Sequence, residues 1–79
     1  MNKIYLSKRE YELASFVAQG LNNAQIAKKM IITNSTVKQH LVNIYSKLGI
    51  EKEPGSGSIG SMRVKLTLAY LNGLLSLRR

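Results

Sequence analysis

From Leu6 onward, apolar residues return every three or four positions, and short polar breaks divide the chain into four helical segments. Ser7-Lys8-Arg9-Glu10 reads as a capping box, with Leu6 placed to staple onto Tyr11 or its neighbours. Leu13, Ala14, Phe16 and Val17 then form an apolar face, and Gly20 supplies a stop, which predicts a helix over residues 8–19. Asn22-Asn23-Ala24-Gln25 opens a second helix, residues 23–30, with Ile26, Ala27 and Met30 inward and Lys28 and Lys29 toward water. Ile31-Ile32-Thr33 is the turn, and Thr33 is a good N-cap for a third helix over 34–48, although Thr36 completes only part of a capping box. Along that helix Val37, Leu41, Ile44 and Leu48 make one apolar stripe, and Gly49 ends it.

Strand signals are almost missing. The pattern therefore predicts an all-α fold, a compact four-helix bundle with a helix-turn-helix at its centre. All 79 residues make one domain with a thin core. Between the third and fourth helices, residues 53–61 are rich in Gly and Ser and read as a flexible loop. The fourth helix is expected over 62–77, and its apolar residues cover too much of its surface for one buried stripe. Met62, Leu66, Ala69, Tyr70 and Leu77 fall on one side. Val64, Leu68, Leu71 and Leu75 fall on the other, which needs a second cover, and another copy of the same helix is the simplest one.

The third helix is the informative one. Opposite its apolar stripe lie Ser35, Gln39, Val42, Asn43 and Ser46, with Lys38 on the flank, a polar face without an acid. Charge sharpens this reading: twelve Lys and Arg stand against four acids, all Glu, for a formal charge of +8. Such a balance attracts polyanions, chiefly nucleic acid or an anionic membrane. A capped helix after a short turn, with an acid-free outer face, suits the major groove of DNA. Cysteine is absent, which excludes disulfides, thiolate metal sites and Cys nucleophiles. With no Asp and a single His, neither a metal site nor acid–base chemistry is supported, no cofactor is expected, and an enzyme is disfavoured. The chain shows no signal peptide and no run of ~20 apolar residues, so a cytoplasmic protein is expected by default.

Five fragments together resemble the LuxR/GerE-type helix-turn-helix domain of bacterial response regulators and stand-alone regulators. They are Leu6-Ser7-Lys8-Arg9-Glu10, Gly20-Leu21-Asn22-Asn23, Gln25-Ile26-Ala27, Thr36-Val37-Lys38-Gln39-His40 and Lys47-Leu48-Gly49-Ile50. Together they span residues 6–50 in order, at the family's spacing and without an insertion or deletion. The resemblance implies a sequence-specific transcription regulator that binds double-stranded DNA with its third helix in the major groove and dimerises through its fourth. By position it places Lys38, Gln39 and Val42 at base edges, which suits the donors of Lys and Gln for guanine and adenine. Asn23, Thr36 and His40 fall near the phosphate backbone, together with Asn34 and Ser35 at the head of the third helix and the cations Lys28 and Lys47. Val64, Leu68, Leu71 and Leu75 become the dimerisation set, and RNA polymerase is a further partner that the resemblance allows. Toward the end, the loop before the fourth helix is longer than the family's, Arg63 only approximates its pattern, and Gly73-Leu74 matches it.

The competing reading is a basic helical module on an anionic membrane surface or a partner protein, using the segment from Leu68 to Leu77 and the two terminal arginines. That segment is short, and the basic residues are spread along the chain rather than gathered on it. For Gln39 alone, base contact and inert surface polarity are evenly balanced. Glu10 reads as an ion-pair or capping residue.

Overall fold

A computed structural model describes residues 3–49 and 59–77. The element order is β1 (Ile4–Leu6), α1 (Lys8–Ala18), α2 (Asn23–Met30), α3 (Asn34–Leu48), α4 (Ile59–Leu71) and β2 (Leu75–Leu77). The first three helices stand where periodicity and capping place them, with α1 one residue shorter. Their starts are fixed by side chains: Ser7 Oγ accepts from the Glu10 N–H while Glu10 Oε1 accepts from the Ser7 N–H. Asn22 and Gln25 repeat this reciprocal pair on α2 at 2.8 Å in both directions. On α3 the Thr33 hydroxyl accepts from the Thr36 N–H, and the two hydroxyls also meet at 2.9 Å. Each device satisfies amide groups that a helix start otherwise leaves without partners.

The fourth helix differs from expectation at both ends. It begins at Ile59, inside the segment expected to be loop, so residues 59–61 are helical. The remainder of that expected loop, residues 53–58, lies outside the described residues. It ends at Leu71 rather than at Leu77, because Gly73 adopts φ +73 and closes a Schellman motif. There the Gly73 N–H donates to Tyr70 and the Leu74 N–H to Ala69. The chain reverses and Leu75–Leu77 becomes a strand, running parallel to β1 in the register Ile4 to Leu75, Tyr5 to Ser76 and Leu6 to Leu77. The fold is still all-α in class, four helices with a two-stranded clip.

α1 lies at the centre. It meets α2, α3, α4 and both strands, and α4 packs chiefly against it. Leu13, Ala14 and Val17 of α1 join Ile26, Val37, Leu41, Ile44 and Leu66 in one buried cluster. Tyr11 and Tyr70 close the α1–α4 contact with ring centres 5.5 Å apart and tilted by 53°. Leu6 and Leu75, from the two strands, seal the same core. No described helix is long and apolar enough to cross a membrane.

Candidate nucleic-acid interface

The helix-turn-helix is built from α2, the turn Ile31–Thr33 and α3. The turn closes by the same left-handed motif as the other helix ends, but the residue in the glycine position is Ile31, at φ 56 and ψ 52. The Ile32 N–H donates to Ala27 at 3.0 Å, which satisfies a carbonyl at the end of α2. Val37, Leu41 and Ile44 are buried beneath α3 and fix its rotation about its own axis. That rotation leaves Lys38, Gln39, Val42, Asn43 and Ser46 exposed. Val42 is 58 % exposed, a large apolar residue facing outward in the middle of a polar surface. One turn apart, the Gln39 amide nitrogen donates to Asn43 Oδ1 at 3.3 Å, which orients the Gln39 amide.

Asn34 and Ser35, the first two residues of α3, are exposed, whereas Thr36 and His40 are half-buried along its length. In α2, Lys28 and Lys29 are exposed. Among the described residues, Lys28, Lys29 and Lys38 enter no ion pair, and the two described acids, Glu10 and Glu12, both belong to α1. The helix-turn-helix therefore carries unneutralised positive charge, as a surface that meets phosphates needs.

Other cations make contacts within the fold and brace the module. Arg9 reaches the Met30 carbonyl at the end of α2 at 3.3 Å and pairs with Glu12 one turn along α1. Lys47 donates to Glu10 Oε1 at 2.7 Å. Lys47, expected to contact phosphate, is exposed on α3 and shares its charge with this carboxylate. Burial pushes the Glu10 carboxyl up, but hydrogen bonds from Lys47 and the Ser7 N–H, together with the Lys47 charge, outweigh it and hold the group below its ordinary value. Glu10 has the pairing and capping roles expected of it. Asn23, half-buried at the start of α2, accepts from Arg63 Nη1 at 2.8 Å. Sequence reasoning missed both long-range pairs, since neither partner is near the other in the chain.

The expected dimerisation set divides. Val64, Leu68 and Leu71 are all more than half exposed and lie along one side of α4 at helical spacing. Leu75 does not join them: it belongs to β2 and is only 6 % exposed, so it is a core residue. Among the described residues, no group of three or more His, Cys, Asp or Glu could hold a metal ion.

With this geometry in view, the comparisons with known proteins converge. The sequence model of the family described as "Bacterial regulatory proteins, luxR family" matches residues 5–55. The transcriptional regulatory protein LnrK of Bacillus subtilis is 49% identical over 45 residues, 57% of this chain and 20% of that protein. The oxygen regulatory protein NreC of Staphylococcus aureus (strain JH9) is 41% identical over 49 residues, 62% of this chain and 23% of that protein. The matched segment thus spans about a fifth of the length of these curated relatives. No solved structure matches the chain.

Proposed function

The chain belongs to the LuxR family of bacterial regulatory proteins, and from that premise we propose that it regulates transcription by binding double-stranded DNA as a dimer, with α3 in the major groove. The observation that carries this reading is the division of α3 into a buried stripe of Val37, Leu41 and Ile44 and an exposed, acid-free edge of Lys38, Gln39 and Val42. Lys38 donates to guanine O6 or N7, the Gln39 amide pairs with adenine, and Val42 packs on a thymine methyl. Asn34 and Ser35 at the head of α3, Asn23 at the head of α2, and Thr36, His40 and Lys28 beside them supply phosphate contacts that set the depth of the helix. Dimerisation uses Val64, Leu68 and Leu71, since a monomer would leave this apolar row in water. Two copies related by a two-fold axis then meet two half-sites about one helical turn apart.

Selection of bound duplexes from a random pool tests the reading as a whole. A two-fold symmetric consensus is expected. Retention on vesicles of anionic lipid, with no retention of any duplex, would replace it with the membrane-surface reading.

A further inference from the structure

Arg63 is half-buried in α4, yet both groups it holds belong to the connection between α1 and α2. Its Nη1 donates to Asn23 Oδ1 at 2.8 Å, and its Nη2 donates to the Leu21 carbonyl. Leu21 is the residue whose N–H closes the end of α1 on Phe16, and Asn23 is the first residue of α2. Between them stands Asn22, the N-cap of α2. The guanidinium therefore grips both flanks of the cap.

Helix electrostatics do not explain the placement. A cation beside a helix N-terminus faces the positive end of the dipole and is disfavoured there. What an arginine contributes at this point is geometry: a planar fork whose donors reach two acceptors at fixed separation. α4 packs chiefly on α1, and this side chain extends its contacts to the start of α2. The next residue, Val64, begins the exposed row that continues through Leu68 and Leu71.

We propose that Arg63 is a positioning residue for DNA binding, which sets the first turn of α2 where it meets a phosphate and ties that turn to the helix that carries the dimer face. The inference rests on the DNA-binding reading above. Arg63 itself touches no DNA. It fixes Asn23 and the free amides of the α2 start so that an incoming phosphate finds them already in place. Because phosphate contacts are sequence-independent, loss of this positioning weakens all duplexes alike and leaves the preferred sequence unchanged.

The test uses the full chain and the duplex obtained by selection. Arg63→Met keeps the stem and removes both donors. It is expected to keep helix content and dimer affinity, to shift the amide resonances of Ala24 and Gln25, and to lose about tenfold in affinity for selected and unrelated duplexes alike. Arg63→Lys, with a single point of donation, is expected to lose several-fold and serves if the Met variant does not fold. A folded variant of either kind that binds within about twofold of the parent, with the α2 amides unmoved, overturns the inference. If the parent chain binds no duplex at all, the DNA-binding reading itself falls.

Discussion

The ammonium of Lys47 stands 2.7 Å from Oε1 of Glu10, joining the last turn of α3 to the first turn of α1 across 37 positions of sequence. The same carboxylate oxygen accepts from the Ser7 N–H at 2.9 Å. One side chain thus caps the central helix and anchors the far end of α3.

Acid sensitivity follows from that pair. Glu10 titrates below its ordinary value in the folded protein, so the unfolded chain takes up the proton more readily. Its contribution to stability is complete above the unfolded carboxyl value and is lost as pH falls through the lower folded one. Glu10→Gln is expected to cost about 1–2 kcal/mol at neutral pH, discounted because Lys47 is partly exposed. Denaturant titrations across an acid series check this: the gap between parent and variant must close on acidification, and a constant gap contradicts it.

Ile31 holds a position that three of the four helix ends give to glycine: Gly20, Gly49 and Gly73 are left-handed at the equivalent turn. It is 90 % exposed, so its side chain gains little from packing. A β-carbon in this region costs roughly 1–2 kcal/mol, part of which a glycine loses again to the entropy of the unfolded chain. Ile31→Gly is expected to stabilise the fold by about 0.5–1 kcal/mol, a rise of several degrees in Tm. A lower Tm by calorimetry would show that the isoleucine makes a compensating contact.

Under the proposed reading of α3, base readers and phosphate partners separate by their sequence dependence. Lys38→Ala and Gln39→Ala are each expected to cost on the order of 1–3 kcal/mol on the selected duplex and far less on unrelated ones. Lys28→Ala should weaken all duplexes equally and flatten the salt dependence by about one unit of slope. Unchanged specificity in Lys38→Ala, measured by competition at fixed salt, removes that residue from the reading edge.

α4 and β2 give a paired test of the dimer face. Leu68→Glu or Leu71→Glu should yield a folded monomer in sedimentation velocity, because both residues are exposed. Leu75→Glu should instead unfold the domain, since it puts a charge into the core beside Leu6. Folded dimers in the first two variants would move the interface elsewhere.

What could be read directly from the sequence was whatever is decided within a few residues. The three helix starts are local hydrogen-bonding devices, and Ser7, Asn22 and Thr33 announce them together with the residue three positions on. The buried stripe of α3 is likewise a matter of spacing, and its opposite edge follows from it. The end of α4 was not legible in that way. Leu74-Leu75-Ser76-Leu77 is a short apolar run that suits a helix as well as a strand, and the choice falls to a partner strand at the other end of the chain. Gly73 was the one local sign of a stop. The pairs Glu10–Lys47 and Asn23–Arg63 exist only once α1, α3 and α4 have packed, so no spacing rule reveals them.

The two-stranded clip has a mechanical meaning. Since β1 and β2 are parallel and paired in register, the chain enters the clip beside Ile4 and leaves it beyond Leu77, at opposite ends of the ladder. A force that draws the two ends apart therefore slides the strands past each other and loads their hydrogen bonds together, where an antiparallel pair pulled at its open end would peel one bond at a time. A tension applied to the two ends of the domain is met first by this clip, before it reaches the helices packed behind it.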